Sequence, residues 1–357
     1  MSGHIGIITT VHDPDDARLR HKLAATLAAG HRVTLVAREP APLRPHAATG
    51  DVALVGLAGG RLRRGIGAAG HIMSRRYDAV VVPDPELLPF ALAARVLRRR
   101  VVFDLHEDVP AQLRHKAWVW RPLRRPLAWL AGRMLRIAER TMPFTLAEDG
   151  YHRLLRRGHP VFPNYPRYEA LPEPMLGDGS VVYVGDVSRQ RGATDLVDAC
   201  GRLDPAPPLT LIGQVSQELA THLRERARRA GVPFRLRGRL PYRVAWREAV
   251  ACGVGVVPLR DLANYTHSLP TKILEYLAVG LPVIAADLPG VRRVAADRPG
   301  VTLVPAGDVD AWAEAIGMVL GDGSAREEAT AHRGDVQRDF AWPDGEVADF
   351  YAALIDG

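Results

Sequence analysis

Twice along this chain, short β-branched runs alternate with helical spacings, and that alternation leaves few folds open. Ile5 to Val11 is apolar and rich in β-branched residues. Leu19, Leu23 and Leu27 then recur at helical spacing, Gly30 stops the helix, and Val33 to Ala37 reads as the next strand. The alternation continues with Ala79 to Val82 as a strand, Leu87 to Leu97 as a helix and Val101 to Leu105 as a strand. A parallel connection has to cross over its sheet, so strands alternating with helices imply a parallel sheet covered on both faces. The expected class is α/β, with doubly wound, Rossmann-like domains.

With 357 residues the chain exceeds one small core and fits two domains. Between them lies a proline-rich linker, Pro163-Asn-Tyr-Pro-Arg-Tyr-Glu-Ala-Leu-Pro-Glu-Pro174. The second series has strands at Val181 to Val184, Leu209 to Ile212, Phe234 to Leu236, Val254 to Val257 and Pro282 to Ala286. Helices are expected at Ala193 to Arg202, Glu218 to Ala230 and Arg243 to Cys252, and Asp308 is read as the N-cap of Ala311 to Leu320. The domains are set at 1–165 and 166–339, with a terminal helix in 340–357.

Hydrophobic content of 47% with 24% charged residues describes a soluble globular chain. No run of 18 apolar residues occurs, and the N-terminus lacks a charged stretch ahead of an apolar one, so neither a spanning helix nor a signal peptide is expected. Cys200 and Cys252 fall in apolar contexts and are read as reduced core residues, which makes the cytoplasm the expected compartment. The net charge of +7 is almost entirely arginine, since only Lys22, Lys116 and Lys272 are lysines. Nucleic-acid binding calls for basic residues interleaved with stacking aromatics or a known module, and neither is found. No Gly-x-Gly-x-x-Gly opens the first helix, which argues against a nicotinamide dehydrogenase.

The densest motif is Ser268-Leu-Pro-Thr-Lys-Ile-Leu-Glu-Tyr-Leu-Ala-Val-Gly-Leu-Pro-Val-Ile-Ala-Ala286, a loop, a short helix and a buried strand. Ser268 is placed to cap the helix and Pro270 to sit in its first turn. Free N–H groups at such a start, with Lys272 beside them, favour a phosphate. Glu275 lies further along, where a carboxylate can accept from two ribose hydroxyls. The plain alternative is that Lys272 and Glu275 form a solvated ion pair on one helix face. A second loop, Gly185-Asp-Val-Ser-Arg-Gln-Arg-Gly192, follows a strand and can bring backbone N–H groups and Arg191 to a diphosphate. Gly213 and the Gly238-Arg-Leu-Pro241 loop also follow strands.

These motifs resemble the donor-binding elements of GT-B glycosyltransferases of family 4, the glycosyl transferases group 1. The resemblance spans nearly the whole chain and is strongest over 78–110 and 181–290. It implies two Rossmann-like domains facing across a cleft, with the terminal helix crossing back onto the first. It implies a retaining, metal-independent transfer of a sugar from a nucleotide-diphosphate sugar to an acceptor hydroxyl, with no cofactor beyond that co-substrate. Arg191 and Lys272 would hold the departing diphosphate, and Glu275 would anchor the ribose. Gly185, Arg189, Gly192, Gly213, Arg239, Leu240, Ser268, Leu269 and Thr271 would complete the donor site. The family's second basic residue is replaced by Asp186, with Arg189 as a substitute. Its first glutamate is replaced by His267, leaving Asn264, His267 and Ser268 to meet the donor sugar.

On the first domain, Asp104-Leu-His-Glu-Asp-Val-Pro110 and Pro83-Asp-Pro-Glu-Leu-Leu-Pro89 resemble segments of the same relatives. His106 would fix the sugar ring, and Glu107 would either orient that imidazole or cap the next segment. Thr9-Thr-Val-His-Asp13 and Arg18 would shape the acceptor side, with His12, Asp13, Arg18 and Glu107 assigned to it. Asp13-Pro-Asp15 resembles a metal motif of the other glycosyltransferase fold, but it follows the first strand of a doubly wound domain, and no metal is assigned. Residues 118–140 combine arginines with Trp and Leu on an expected helix. Such a face either rests on an anionic membrane, reaching a lipid-linked acceptor at its inner side, or packs on the sheet with its arginines in water. The acceptor is a small molecule or a lipid-linked one. Two rivals use the same fold: a sugar-nucleotide epimerase, and a non-catalytic nucleotide-sugar-binding partner marked by Asp186 and His267.

Overall fold

Two six-stranded parallel sheets carry the chain, one in each of two units: Met1–Asn164 with Trp342–Gly357, and Tyr165–Ala341. The computed structural model describes residues 2–39, 52–115, 119–262, 265–266 and 268–356. In the first unit the strands are β1 (His4–Ile8), β2 (Arg32–Arg38), β3 (Val52–Leu57), β4 (Ala79–Val82), β5 (Val101–Leu105) and β6 (Phe144–Leu146), in the spatial order β3-β2-β1-β4-β5-β6. The second unit repeats the plan with β7 (Val181–Val184), β8 (Leu209–Ile212), β9 (Phe234–Gly238), β10 (Val254–Val257), β11 (Val283–Ala286) and β12 (Val301–Val304), ordered β12-β11-β10-β7-β8-β9. Both sheets are doubly wound: the order reverses between the first and fourth strand of each, at β1/β4 and at β7/β10. Loops leaving adjacent strands there diverge and open a crevice at the carboxyl ends.

The central strands are buried on both faces, as their continuous valine and isoleucine runs require. Strands β3, β6 and β12 went unforeseen, and all three are sheet edges. β3 and β12 are partly exposed and β6 has three residues, so none presents a long apolar run. β1 stops at Ile8 rather than Val11, because the backbone of Thr10 and Val11 turns to donate N–H bonds to Asp84 instead of extending the ladder. Cys200 and Cys252 are free and buried.

The helix that follows β1 opens with π-type hydrogen bonding over Leu19–Ala24 before continuing as Ala25–Leu27, with the Leu23 N–H donating to the Arg18 carbonyl at 2.9 Å. At its start Arg18 is buried. Its Nε and Nη2 donate to the two Asp104 carboxylate oxygens at 2.9 and 2.7 Å, and Nη1 donates to the Phe162 carbonyl at 3.0 Å. The guanidinium also lies over the Trp342 ring. Arg18 was assigned to the acceptor side; the structure corrects this, since the side chain is spent inside the unit. Burial alone raises a carboxyl pKa, but the Arg18 charge overcomes it and holds Asp104 below the usual range.

The helix Asp344–Asp356 belongs to the first unit. Val347 and Tyr351 are fully buried in its core, and Trp342 Nε1 donates to Thr26 Oγ1 at 2.9 Å. The helix Arg121–Ala138 buries Ala128, Leu135 and Ala138, the last two in the core cluster that includes Phe103 and Phe144.

Arg18→Met removes one partner of a buried ion pair and leaves Asp104 uncompensated, which costs roughly 3–5 kcal/mol. A denaturant titration at neutral pH is expected to show that loss. The difference from wild type should shrink as pH falls through the depressed Asp104 pKa, where the carboxylate's contribution disappears.

Candidate active site

At the β7/β10 reversal of the second unit, the loop after β7 lies against the chain leaving β10. Gly192 sits in the left-handed region (φ +74°), and a Cβ there would come within 2.1 Å of the Pro258 carbonyl oxygen, so only glycine fits. A Cβ on Gly213 would meet the Gly185 carbonyl oxygen at 1.6 Å, which keeps the β7 and β8 ends in backbone contact. The Gly213 N–H donates to Gly238 at 2.9 Å, adding the β9 end to the row. Arg191 lies over the Tyr265 ring, 5.4 Å from its centroid, tying this loop to the one that leads into the 268–275 motif. Its Nε is buried, makes no hydrogen bond among the described residues, and stands 3.8 Å from Asp186 Oδ2. Ser188 Oγ in the same loop is likewise buried and unpaired. Arg189 is exposed and directed at His222 (3.3 Å) instead.

The helix Thr271–Ala278 begins two residues later than a Ser268 cap would place it. Pro270 is its N-cap and carries no acceptor, while Ser268 Oγ donates to the Tyr265 carbonyl at 3.4 Å, so Ser268 does not cap it. Tyr276 bolts this helix to the sheet: the Val184 N–H donates to its phenol oxygen at 2.7 Å. That bolt turns Glu275 inward, where only 5% of the residue is exposed. Tyr242 donates its hydroxyl to Glu275 Oε1 at 2.7 Å. Lys272 Nζ stands 2.9 Å from Oε2, yet outside hydrogen-bond geometry, so Oε2 keeps unspent accepting capacity. A freely solvated ion pair is thereby ruled out on the carboxylate side. Burial, and then the Glu275 charge, push the Tyr242 phenol pKa far up, so it remains a donor. Lys272 also lies over the Trp246 ring, 5.6 Å from its centroid.

The β1/β4 reversal of the first unit holds a second cluster. Asp84, buried at the end of β4, accepts from the Thr9 and Thr10 hydroxyls and from the Thr10 and Val11 N–H groups. His12 Nε2 lies 3.5 Å from Asp84 Oδ1, and His12 Nδ1 is 3.2 Å from Asp16 Oδ2. His106, just past β5, meets His12 at 3.1 Å between the two Nε2 atoms, and its Nδ1 is 3.1 Å from the Asp104 carbonyl. Glu107 is exposed and does neither task foreseen for it: the Asp104 carbonyl and His12 orient the imidazole, and Asp108 accepts the Ala111 N–H at 2.8 Å as the cap. Asp13 accepts the Asp15 N–H at 3.0 Å and lies 3.5 Å from Arg38, which holds a turn.

Arg239 is exposed, while Leu240, Leu269 and Thr271 are half-buried. His267 and Asn264 lie outside the described residues. Tyr242 was missed although it directly follows the singled-out Gly238–Pro241 loop. Asp16 was missed because its role depends on a ring nitrogen that only the fold brings to it. Among the described residues no group of three or more His, Cys, Asp and Glu side chains is arranged to hold a metal.

Residues 178–322 match the family model described as Glycosyl transferases group 1. The chain is 30% identical over 170 residues to the D-inositol 3-phosphate glycosyltransferase of Jonesia denitrificans, a match covering 45% of this chain and 39% of that protein. It thus spans well under half the length of the curated relatives it matches. Among solved structures, sucrose-phosphate synthase from Thermosynechococcus elongatus superposes with a TM-score of 0.80 at 18% identity, over 99% of both chains. Anabaena HepE in complex with UDP and glucose gives a TM-score of 0.70 at 14% identity, over all of both chains. These likenesses establish the two-domain GT-B fold.

Tyr242→Phe leaves Glu275 Oε1 without its protein donor, and such a loss costs about 1–3 kcal/mol at a buried acceptor. A lowered thermal midpoint with unchanged secondary structure is the expected result.

Proposed function

From the match of residues 178–322 to the Glycosyl transferases group 1 model, we propose that the chain moves a sugar from a nucleotide-diphosphate sugar to an acceptor hydroxyl. The observation that carries this reading is Glu275: a buried carboxylate with one oxygen fixed by Tyr242 and the other still able to accept. A ribose diol, with two donors side by side, matches that remaining capacity. Arg191, whose buried Nε makes no hydrogen bond among the described residues, and Lys272 are assigned to the diphosphate. Gly185, Gly192 and Gly213 admit its close approach, and Arg239 and Leu240 flank the base. His267, Ser268, Leu269 and Thr271 are left to meet the donor sugar, and Arg189 serves as a peripheral cation. Catalysis consists of placement and of stabilising negative charge on the leaving diphosphate. Arg191 and Lys272 carry that charge in place of a metal ion. The reaction proceeds with retention and without a covalent glycosyl-enzyme. His106 positions the sugar ring, with His12 and Asp13 on the acceptor side.

UDP and UDP-glucose, named with Anabaena HepE, are the first donors to offer. Their addition is expected to raise the thermal midpoint, since a ligand at one hundred times its Kd adds about 2.7 kcal/mol. Glu275→Ala should abolish that shift, and an unchanged shift would remove the ribose assignment. Turnover is expected to survive chelation by EDTA and to give a product of retained anomeric configuration by NMR.

A polyol phosphate, suggested by the Jonesia relative, and a lipid-linked hydroxyl are the acceptor classes to compare. Among the described residues no helix is long and apolar enough to cross a membrane. The helix Arg121–Ala138 nevertheless bares a second apolar stripe, Leu123, Leu127, Leu130 and Ile137, and Trp120 and Trp129 are 71% and 63% exposed. Exposed arginines at 121, 125 and 133 border it, a combination suited to anionic headgroups. Co-sedimentation with phosphatidylglycerol vesicles, lost on replacing Arg121 and Arg125 by Gln and absent with neutral vesicles, is the expected outcome. Wild-type protein that stays in the supernatant ends the membrane reading.

A further inference from the structure

The His12–His106 contact fixes how many protons the two rings hold. Two Nε2 atoms 3.1 Å apart make a hydrogen bond only if one of them carries a proton. His106 Nδ1 faces a carbonyl, which accepts only, so that nitrogen is protonated. His12 Nδ1 faces the Asp16 carboxylate, whose pKa lies at about 2, lowered against burial by hydrogen bonds from His12 and Leu19, so this nitrogen is protonated as well. Two neutral rings with these outer protons would oppose two lone pairs, and two charged rings would oppose two protons. The remaining arrangement has three protons on four nitrogens.

We infer that His12 and His106 form a pair sharing one positive charge, in which His12 is a positioning residue that donates Nε2–H to a neutral, Nδ1-protonated His106. Charges around the pair place the cation on His12. Asp16 faces it from the start of the following helix, Asp84 from the end of β4 and Glu107 from the loop after β5, while Asp104 below His106 is already compensated by Arg18. Burial lowers the His12 pKa, but these carboxylates outweigh it and the net shift is upward. The charge is therefore present below the ordinary imidazole pKa and is lost as pH rises through the raised one. The rings are in direct contact, so a substrate hydroxyl would have to part them, accepting from His12 and donating to His106. This inference rests on the proposed reading that this unit meets a hydroxyl-bearing substrate.

Histidine-selective nitrogen-15 NMR of the unliganded full chain from pH 5 to 9 tests it without nucleotide or acceptor, so its failure is separate from failure of the transferase reading. Expected are an Nδ1–H tautomer at His106 and an imidazolium at His12 whose midpoint lies above the ordinary value of about 6.5. Asp16→Asn, which keeps an acceptor for the Arg18 and Leu19 N–H groups, should lower that midpoint by about one pH unit. A His12 midpoint at or below the ordinary value, or an Nε2–H tautomer at His106, overturns the inference, and the wild-type spectrum alone decides if the variant fails to fold. In an active enzyme, His12→Phe should move the alkaline limb of the pH–rate profile, whereas a merely structural His12 would lower the rate equally at every pH.

Discussion

A parallel strand has no short way back to its neighbour, so each connection must climb over a face of the sheet, and the face chosen decides where a crevice opens. In both units the order reverses once, beside the first strand. Everything of chemical interest gathers at those two reversals: Asp84 with the Thr9–His12 turn in the first, and Arg191 with the chain leaving β10 in the second. The glycines there follow from the same constraint, because the loops must pass within contact distance of neighbouring backbone. Gly192 against Pro258 and Gly213 against Gly185 are the tightest examples.

The two clusters spend their polar groups differently. In the first unit nearly every lone pair is answered: Asp84 accepts from four donor groups, Asp104 is clamped by Arg18 and Thr145, and the imidazoles answer one another. Such a network is rigid, because removing any member strands another in a medium of low dielectric. In the second unit Glu275 Oε2, Arg191 Nε and Ser188 Oγ are buried and left without hydrogen bonds among the described residues. Lys272 and Asp186 answer the first two by charge alone, and hydrogen-bonding capacity left over at buried atoms is the physical reason to look for a ligand there.

Much of this was legible beforehand where local chemistry settles the structure. The central strands read as valine runs, Asp308 caps its helix as expected, and the loops after β7 and β9 stood out by their glycines. The edge strands β3, β6 and β12 did not, since an edge is stabilised by a neighbour rather than by its own pattern. Ser268 failed as a cap because Pro270 displaces the helix start, a competition that residue preferences alone do not resolve. Arg18 looked like a surface cation because nothing nearby in the chain announces Asp104, 86 residues away. Tyr242 and Asp16 matter only through partners that the fold supplies.

The helix Asp344–Asp356 packs into the sheet whose first strand is His4–Ile8, although the whole of the second unit is encoded between them. During synthesis the chain emerges from its N-terminus, and domains fold as units as they appear. Of the two units, the one begun earlier is therefore the later to be completed. The 165–341 segment carries the whole of its own core, whereas the earlier unit keeps a gap where Val347 and Tyr351 will lie until residues 342–356 have been made.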